Sequence, residues 1–395
     1  MPTAPVAHAE DLADFVDASP SSYHAAAEVA RRLQQAGFAA LQETDAWPDT
    51  PGKYLVVRDG AVIAWIVPQG ATAPTPVRVF GAHSDSPGFK LKPKPTTGRY
   101  GWLQAGVEVY GGPLLNSWLD RELRLAGRLV LDDGTSVLAA TGPLLRLPQL
   151  AIHLDREANS GLALDKQGHT QPVWGLGSPE SEDLLAELAA SVSATGSSGD
   201  GTAEPVDAAR IRGYDVVTAD SARGGVFGKD DVFFAATRSG AAGPFLEDVL
   251  ERIGLALGAG REERMRALAS SWCVSSDVGH SVHPNYADKH DPEVRPVLGS
   301  GPILKINANQ RYATDGAGAA AWHEWCAQAG ATSQEFVSNN LVPCGSTIGP
   351  ITATRLGIRT VDVGIPILSM HSARELAGVS DLFDLTRIAE AFFRS

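Results

Sequence analysis

The sequence predicts an α/β fold interrupted by a β-rich insertion. Short apolar strands alternate with amphipathic helical stretches near both ends of the chain. Between Pro93 and about Val216 the pattern changes to short strands and frequent turns. Histidines and aspartates capable of chemistry fall where strands end, the usual place for sites in α/β sheets. The division expected is 1–92 with 217–395 for the α/β part, and 93–216 for the insertion.

Ser21-Ser22 can cap a helix whose apolar stripe is Tyr23, Ala26, Ala30 and Leu33, with Gly37 ending it. Tyr54–Arg58 and Ala61–Val67 read as strands joined by Asp59-Gly60, a strong hairpin signal. The run 77–82 reads as a strand that delivers His83 and Asp85. Within the insertion, Arg128–Leu131 and Ser136–Ala139 read as strands, and Thr195–Pro205 is a Gly/Ser-rich loop. Pro244–Gly258 is an amphipathic helix with Leu246, Val249, Leu250 and Ile253 on one face. An apolar run, Leu268–Ser276, leads to Asp277. Ile303–Asn307 is a strand, Asp315–Ala329 a helix, and Thr360–Ile367 a strand leading to Met370-His371.

The chain has 395 residues, 20% charged and 44% hydrophobic, with a net charge of −13. That charge disfavours a nucleic-acid partner. No apolar run is long enough to span a membrane. The N-terminus lacks the basic and apolar regions of a signal peptide. Three unpaired cysteines, Cys273, Cys326 and Cys344, suit a reducing cytoplasm. No G-x-S-x-G elbow is present. Gly316, Gly318 and Ala321 fit G-x-G-x-x-A, but no apolar strand precedes them, so a dinucleotide site is not expected.

Three segments place His or Asp near strand ends: His83-Ser84-Asp85; Asp277 with His280 and His283; and Ser369-Met370-His371. Zinc prefers imidazole nitrogen and carboxylate oxygen, and catalytic sites gather ligands from separate strand ends. In His83-Ser84-Asp85 the carboxylate can accept from the far ring nitrogen and fix the metal-binding tautomer. Each histidine by itself is as well explained as an ordinary surface residue. His280 and His283 are expected to order the Asp277 loop.

Several further stretches carry a family resemblance, in one consistent order along the chain. They are Ser19-Pro20-Ser21, Gly81–Pro87, Leu115–Arg121, Ala151–Arg156, Asp277–Tyr286, Lys305–Asn307, Gln310–Ala313, Gly345–Pro350 and Met370-His371-Ser372. With these the chain resembles the aspartyl aminopeptidases, the M18 zinc aminopeptidases. The resemblance implies a mixed-sheet, zinc-exopeptidase-like catalytic domain with an inserted β-rich dimerisation domain, assembled as a homo-oligomer (a dodecamer in the family). It implies removal of N-terminal Asp or Glu from peptides by a water bound to two zinc ions. Residue by residue, His83 and Asp277 match ligands of one metal and His371 a ligand of the other. Asp85 matches the partner of His83, Lys305 the cation for the substrate's acidic side chain, and Tyr312 the oxyanion stabiliser. His153 matches a residue reaching into a neighbour's site, and is a further candidate zinc ligand.

The resemblance also implies an Arg-Leu-Asp-Asn segment with a metal-bridging Asp. An Asp-x-Glu-Glu-x-Gly segment should follow, carrying the general base and a zinc ligand. Neither is present. Arg238 runs straight into Ser239, a join that omits about 30 residues, the size of a helix plus a strand. Such a loss exposes apolar surface and unpaired strand edges. Asp230, Asp231, Glu247 and Asp248 read as solvated acids rather than replacements. Two readings follow. The chain is a metalloaminopeptidase of this type, or it is a catalytically impaired member serving as a non-catalytic oligomer subunit. A mononuclear hydrolase using His83 and Asp277 has too few ligands for a tight site.

Overall fold

The computed structural model describes residues 4–192, 205–227, 232–235 and 244–395. The Arg238–Ser239 join, Asp230, Asp231 and nearly all of the Thr195–Pro205 tract lie outside the described residues.

Helix α1 (Pro5–Asp17) has proline in its first turn, where a missing N–H costs nothing. Helix α2 (Ser22–Gln35) begins where the sequence places it. The Ser21 hydroxyl accepts from the His24 N–H, and Gly37 follows the helix at φ 86°. A small sheet comes next: β1 (Ala39–Ala40) parallel to β2 (Gly52–Arg58), and β2 antiparallel to β3 (Ala61–Val67) across the Asp59-Gly60 turn. Ten residues then lead into β4 (Arg78–Gly81).

The middle of the chain forms a seven-stranded sheet. It contains β5 (Gly88–Arg99), β6 (Trp102–Tyr110), β7 (Glu122–Leu131), β8 (Ser136–Ala140), β9 (Leu145–Arg146), β10 (Val173–Leu176) and, after helix α3 (Leu184–Ala190), β11 (Ile211–Asp220). The order is β11-β5-β6-β10-β9-β7-β8, and β11 also pairs with β7, so the sheet closes into a barrel. Phe89, Leu91, Val107, Leu125 and Leu129 fill it, with Leu184 and Leu188 of α3 against them. The expected divisions at 92/93 and 216/217 fall inside β5 and β11.

The chain then returns through β12 (Gly225–Phe227), β13 (Val232–Ala235), α4 (Phe245–Ala256), α5 (Arg261–Ala269), β14 (Trp272–Ser276), β15 (Gly279–His280) and β16 (Ile303–Lys305). It ends with α6 (Gly316–Ala329), β17 (Gln334–Phe336), α7 (Gly349–Leu356), β18 (Arg359–Gly364), β19 (Pro366–Leu368), β20 (Glu375–Gly378) and α8 (Val379–Arg394). One five-stranded sheet runs β17-β16-β18-β14-β4, with β4, β14 and β18 parallel. Another runs β12-β13-β20-β19-β15. A core of Val274, Leu304, Trp322, Trp325, Val361, Ile388 and Phe392 holds α6 and α8 on the first of these sheets. Among the described residues no helix is long and apolar enough to cross a membrane.

The G-x-G-x-x-A stretch proves to be the start of α6, capped by Asp315 accepting from Gly318 N–H. The expected strand 360–367 breaks into β18 and β19 at Ile365, which lets one stretch serve two sheets.

Candidate active site

Parallel strands bring their carboxyl ends to one edge of the sheet. His83 lies two residues past β4 and Asp277 directly follows β14. The two meet: His83 Nε2 lies 2.9 Å from Asp277 Oδ1. Burial works against a charged imidazole at His83, but the Asp277 hydrogen bond and charge outweigh it and raise the pKa. Burial would likewise raise Asp277, yet His83 and the nearby Lys305 charge hold it below the usual carboxylate range. Gly364 makes this approach possible. A Cβ there would sit 1.5 Å from the Asp277 carbonyl oxygen. Gly364→Ala is therefore expected to destabilise the fold by about 3 kcal/mol or more, read by urea unfolding; an unchanged midpoint would contradict this packing.

Asp85 takes another partner than the one expected. Its carboxylate accepts from the Tyr110 hydroxyl, a bond that helps raise the Tyr110 pKa to about 12, ahead of the effect of burial. His83 Nδ1 is buried with no hydrogen-bond partner among the described residues. The cause is geometric: β6 places Tyr110 beside the 84–88 loop, and the phenol reaches the carboxylate first.

Lys305 ends β16 and is 2% exposed. Its ammonium donates to Val278 O at 2.8 Å and lies 5.5 Å from the centre of the Tyr312 ring. Burial lowers its pKa, against the charges of Asp277 and Asp362. Tyr312 is buried, and its pKa is raised by that burial and by the Cys344 thiol beside it. The Tyr312 loop is held from below by Asp362, which is 0% exposed in β18. Asp362 accepts from Ala313 N–H at 2.6 Å and from the Thr347 hydroxyl at 2.6 Å. The sequence reading missed Asp362. Its signal was a carboxylate flanked by valines in an otherwise apolar strand.

His371 is exposed and does not join the His83–Asp277 pair. It has a left-handed backbone, φ 65°, with its N–H bonded to Glu375 Oε1 and its Nδ1 3.1 Å from Gly112 O. The Leu114 N–H donates to the His371 carbonyl. Nearby, Asp220 accepts from both Arg374 and Arg121, tying the 371–375 loop to the barrel. His280 lies within electrostatic reach of His371, and its pKa is lowered by desolvation first, then by His290, Lys305 and His371. The Asp277 loop is internally bonded: His283 Nδ1 accepts from Asn285 N–H, and His290 Nε2 from His283 N–H. His153 stands in an exposed turn, among exposed Leu150, Ile152 and Leu154.

A catalytic zinc takes three protein ligands. Among the described residues no group of three or more His, Cys, Asp or Glu is placed to hold a metal ion. The one close donor pair, His83 and Asp277, is spent on its own hydrogen bond. The residues present therefore do not complete a zinc site.

Comparison with known proteins places the chain. The family profile "Aminopeptidase I zinc metalloprotease (M18)" matches residues 15–239 and 226–393, two stretches that meet between 226 and 239. A probable M18 family aminopeptidase 2 of Streptomyces avermitilis is 47% identical, covering 98% of this chain and 97% of the relative. That match runs over 431 residues, more than the 395 of this chain. The Mycobacterium tuberculosis protein of the same name is 41% identical over 98% of each chain. Among solved structures, Ape4 in its complex with Nbr1 superposes with a TM-score of 0.91 at 31% identity, covering 99% of this chain and 86% of that one. The Saccharomyces cerevisiae mApe1 dodecamer gives 0.80 at 26% identity, covering 98% and 96%. With its α/β sheets, its barrel and these matches along nearly its whole length, the chain belongs to the M18 family of zinc aminopeptidases.

Proposed function

We propose that this chain recognises peptides with an N-terminal Asp or Glu and, as it stands, hydrolyses them poorly. The observation that carries the recognition half is Lys305, a buried ammonium beside Asp277, His83 and Tyr312. An ammonium has three donors, and among the described residues Nζ makes one hydrogen bond. A substrate carboxylate can take the others, in a setting where a charge-assisted bond is strong. In the conformation described, Nζ is closed from solvent, so entry of a carboxylate requires exchange of the Val278 contact.

Poor hydrolysis follows from the donors that are lacking. The bridging Asp and paired Glu that the resemblance implies have no counterpart in the sequence. The long alignments to relatives and the two-part profile match support a real shortfall near Arg238–Ser239. Glu247 and Asp248 are engaged elsewhere, with Arg355 and Arg58, and do not stand in. A hydrolytic step through zinc would need donors that the described residues do not supply.

The experiment is calorimetric binding of matched peptides beginning with Asp or Ala. Lys305→Ala is expected to weaken the acidic peptide by about 1.5–3 kcal/mol and the neutral one little. Equal losses would remove Lys305 as the specificity residue.

The same proposal extends to assembly. The barrel, 88–220, is taken as the inserted unit, and the exposed apolar run around His153 as part of a homo-oligomer contact in the cytoplasm. Leu150 and Leu154 are 62% and 75% exposed. Leu154→Glu is expected to lower the oligomeric state seen in sedimentation; an unchanged species would place the contact elsewhere.

A further inference from the structure

We infer that one extended polypeptide strand belongs between β3 and β4, joining the three-stranded and five-stranded sheets. Its source is the stretch that the relatives possess and this chain lacks. The inference rests on the shortfall at Arg238–Ser239 and adds where the absent chain sits.

The first ground is topological. β3 and β4 are successive strands, each at the edge of its own sheet, and they do not pair with each other. They nevertheless lie close. The Ser84 hydroxyl, just past β4, donates to Gly60 O in the turn that starts β3, at 2.9 Å. β3 therefore begins where β4 ends and runs back along it. Two facing edges with unpaired backbone groups form a slot for a strand.

Burial agrees. Val79 and Phe80 of β4 are half-buried, while their register partners Cys273 and Val274 are 2% and 1% exposed. Ile66 of β3 is 61% exposed. Helix α4 roofs the same space. Its Asp248 bonds Arg58 at the small sheet, and its Glu247 meets Arg355 at the end of α7, which packs on β14 and β18. Yet of the α4 apolar face only Val249 is buried; Leu246, Leu250 and Ile253 are half-open. A roof helix with an unfilled apolar face is what an absent strand beneath it leaves.

The slot opens into a cavity of about 600 Å³ beside the candidate site, bounded by the β2–β3 turn, Ser84–Ser86 and the barrel. Ser86 Oγ, Trp118 Nε1 and Thr218 Oγ1 belong to its walls. They are buried without partners among the described residues. An indole N–H can only donate, so whatever fills this space brings an oxygen acceptor, as a polypeptide carbonyl does.

The test is amide hydrogen exchange on the full chain. The comparison is a version carrying, at the Arg238–Ser239 join, the residues of the Streptomyces avermitilis relative that have no counterpart here. Exchange across 61–67 and 78–81 is expected to slow by at least about tenfold in the extended protein, with β14 unchanged. A folded extended protein with no slowing, or slowing in one strand alone, overturns the inference. If the extended version does not fold, the same residues are added as a synthetic peptide to the unmodified chain, with the same expectation. No slowing there overturns it too. Slowing in the unmodified chain on raising its concentration assigns the slot to a second copy and overturns the stated source. Slowed exchange without regained turnover keeps the strand in its slot and sinks the catalytic reading; regained turnover without slowed exchange does the reverse.

Discussion

Asp-p-nitroanilide hydrolysis by this chain, with zinc supplied, is expected to trail the extended version by at least about 10²–10⁴-fold, the typical cost of losing a general base. The reason lies in the donor set. His83 and Asp277 are bonded to each other, His371 is turned to the Gly112 carbonyl, and among the described residues no third donor joins either. Loss of metal-activated water adds to the deficit, because the nucleophile's pKa returns toward that of bulk water. A second readout needs no turnover. After dialysis against zinc, mass spectrometry is expected to find less than one tightly held zinc per unmodified chain. Equal turnover by the two proteins, or full zinc occupancy in the shorter one, would mean that acids outside the described residues have completed the site.

Asp362→Ala is expected to cost about 3–6 kcal/mol, two charge-assisted hydrogen bonds of about 1.5–3 kcal/mol each. Asp362 is fully buried and receives Ala313 N–H and the Thr347 hydroxyl, so it pins two loops on one carboxylate. Gly349 lies so close that a Cβ there would sit 2.2 Å from an Asp362 oxygen, and the contact leaves no room for a water to replace the lost group. Asp362→Asn keeps an acceptor and should cost less. Urea unfolding of the three proteins decides; overlapping curves for wild type and Ala would reduce Asp362 to a bystander.

Local chemistry was legible where the chain itself supplies the partner. The Ser21 cap, the Asp59-Gly60 turn and the α6 cap at Asp315 were readable because each is settled within a few residues. The α4 stripe was readable as periodicity, although its burial was not. Long-range matters were hidden. Tyr110 captures Asp85 across 25 residues, and the Asp220 cluster joins residues 99 and 154 positions apart. Helices α1 and α8 went unread although each shields apolar surface of the other. At the site, the meeting of His83 with Asp277 follows from parallel strands ending together. The orientation of His371 does not, because two left-handed residues, Ser369 and His371, redirect the chain after β19.

The Asp220 cluster has a mechanical consequence. One carboxylate in the last barrel strand grips Arg374, three residues past His371, while Arg121 braces it from the other side. His371 thus rides on the barrel rather than on the sheet that carries His83. A change that tilts the barrel, such as a new subunit contact, moves this imidazole relative to the rest of the cleft. Selection on how copies assemble and selection on how the cleft works therefore act on one linkage, and neither can drift without the other registering it.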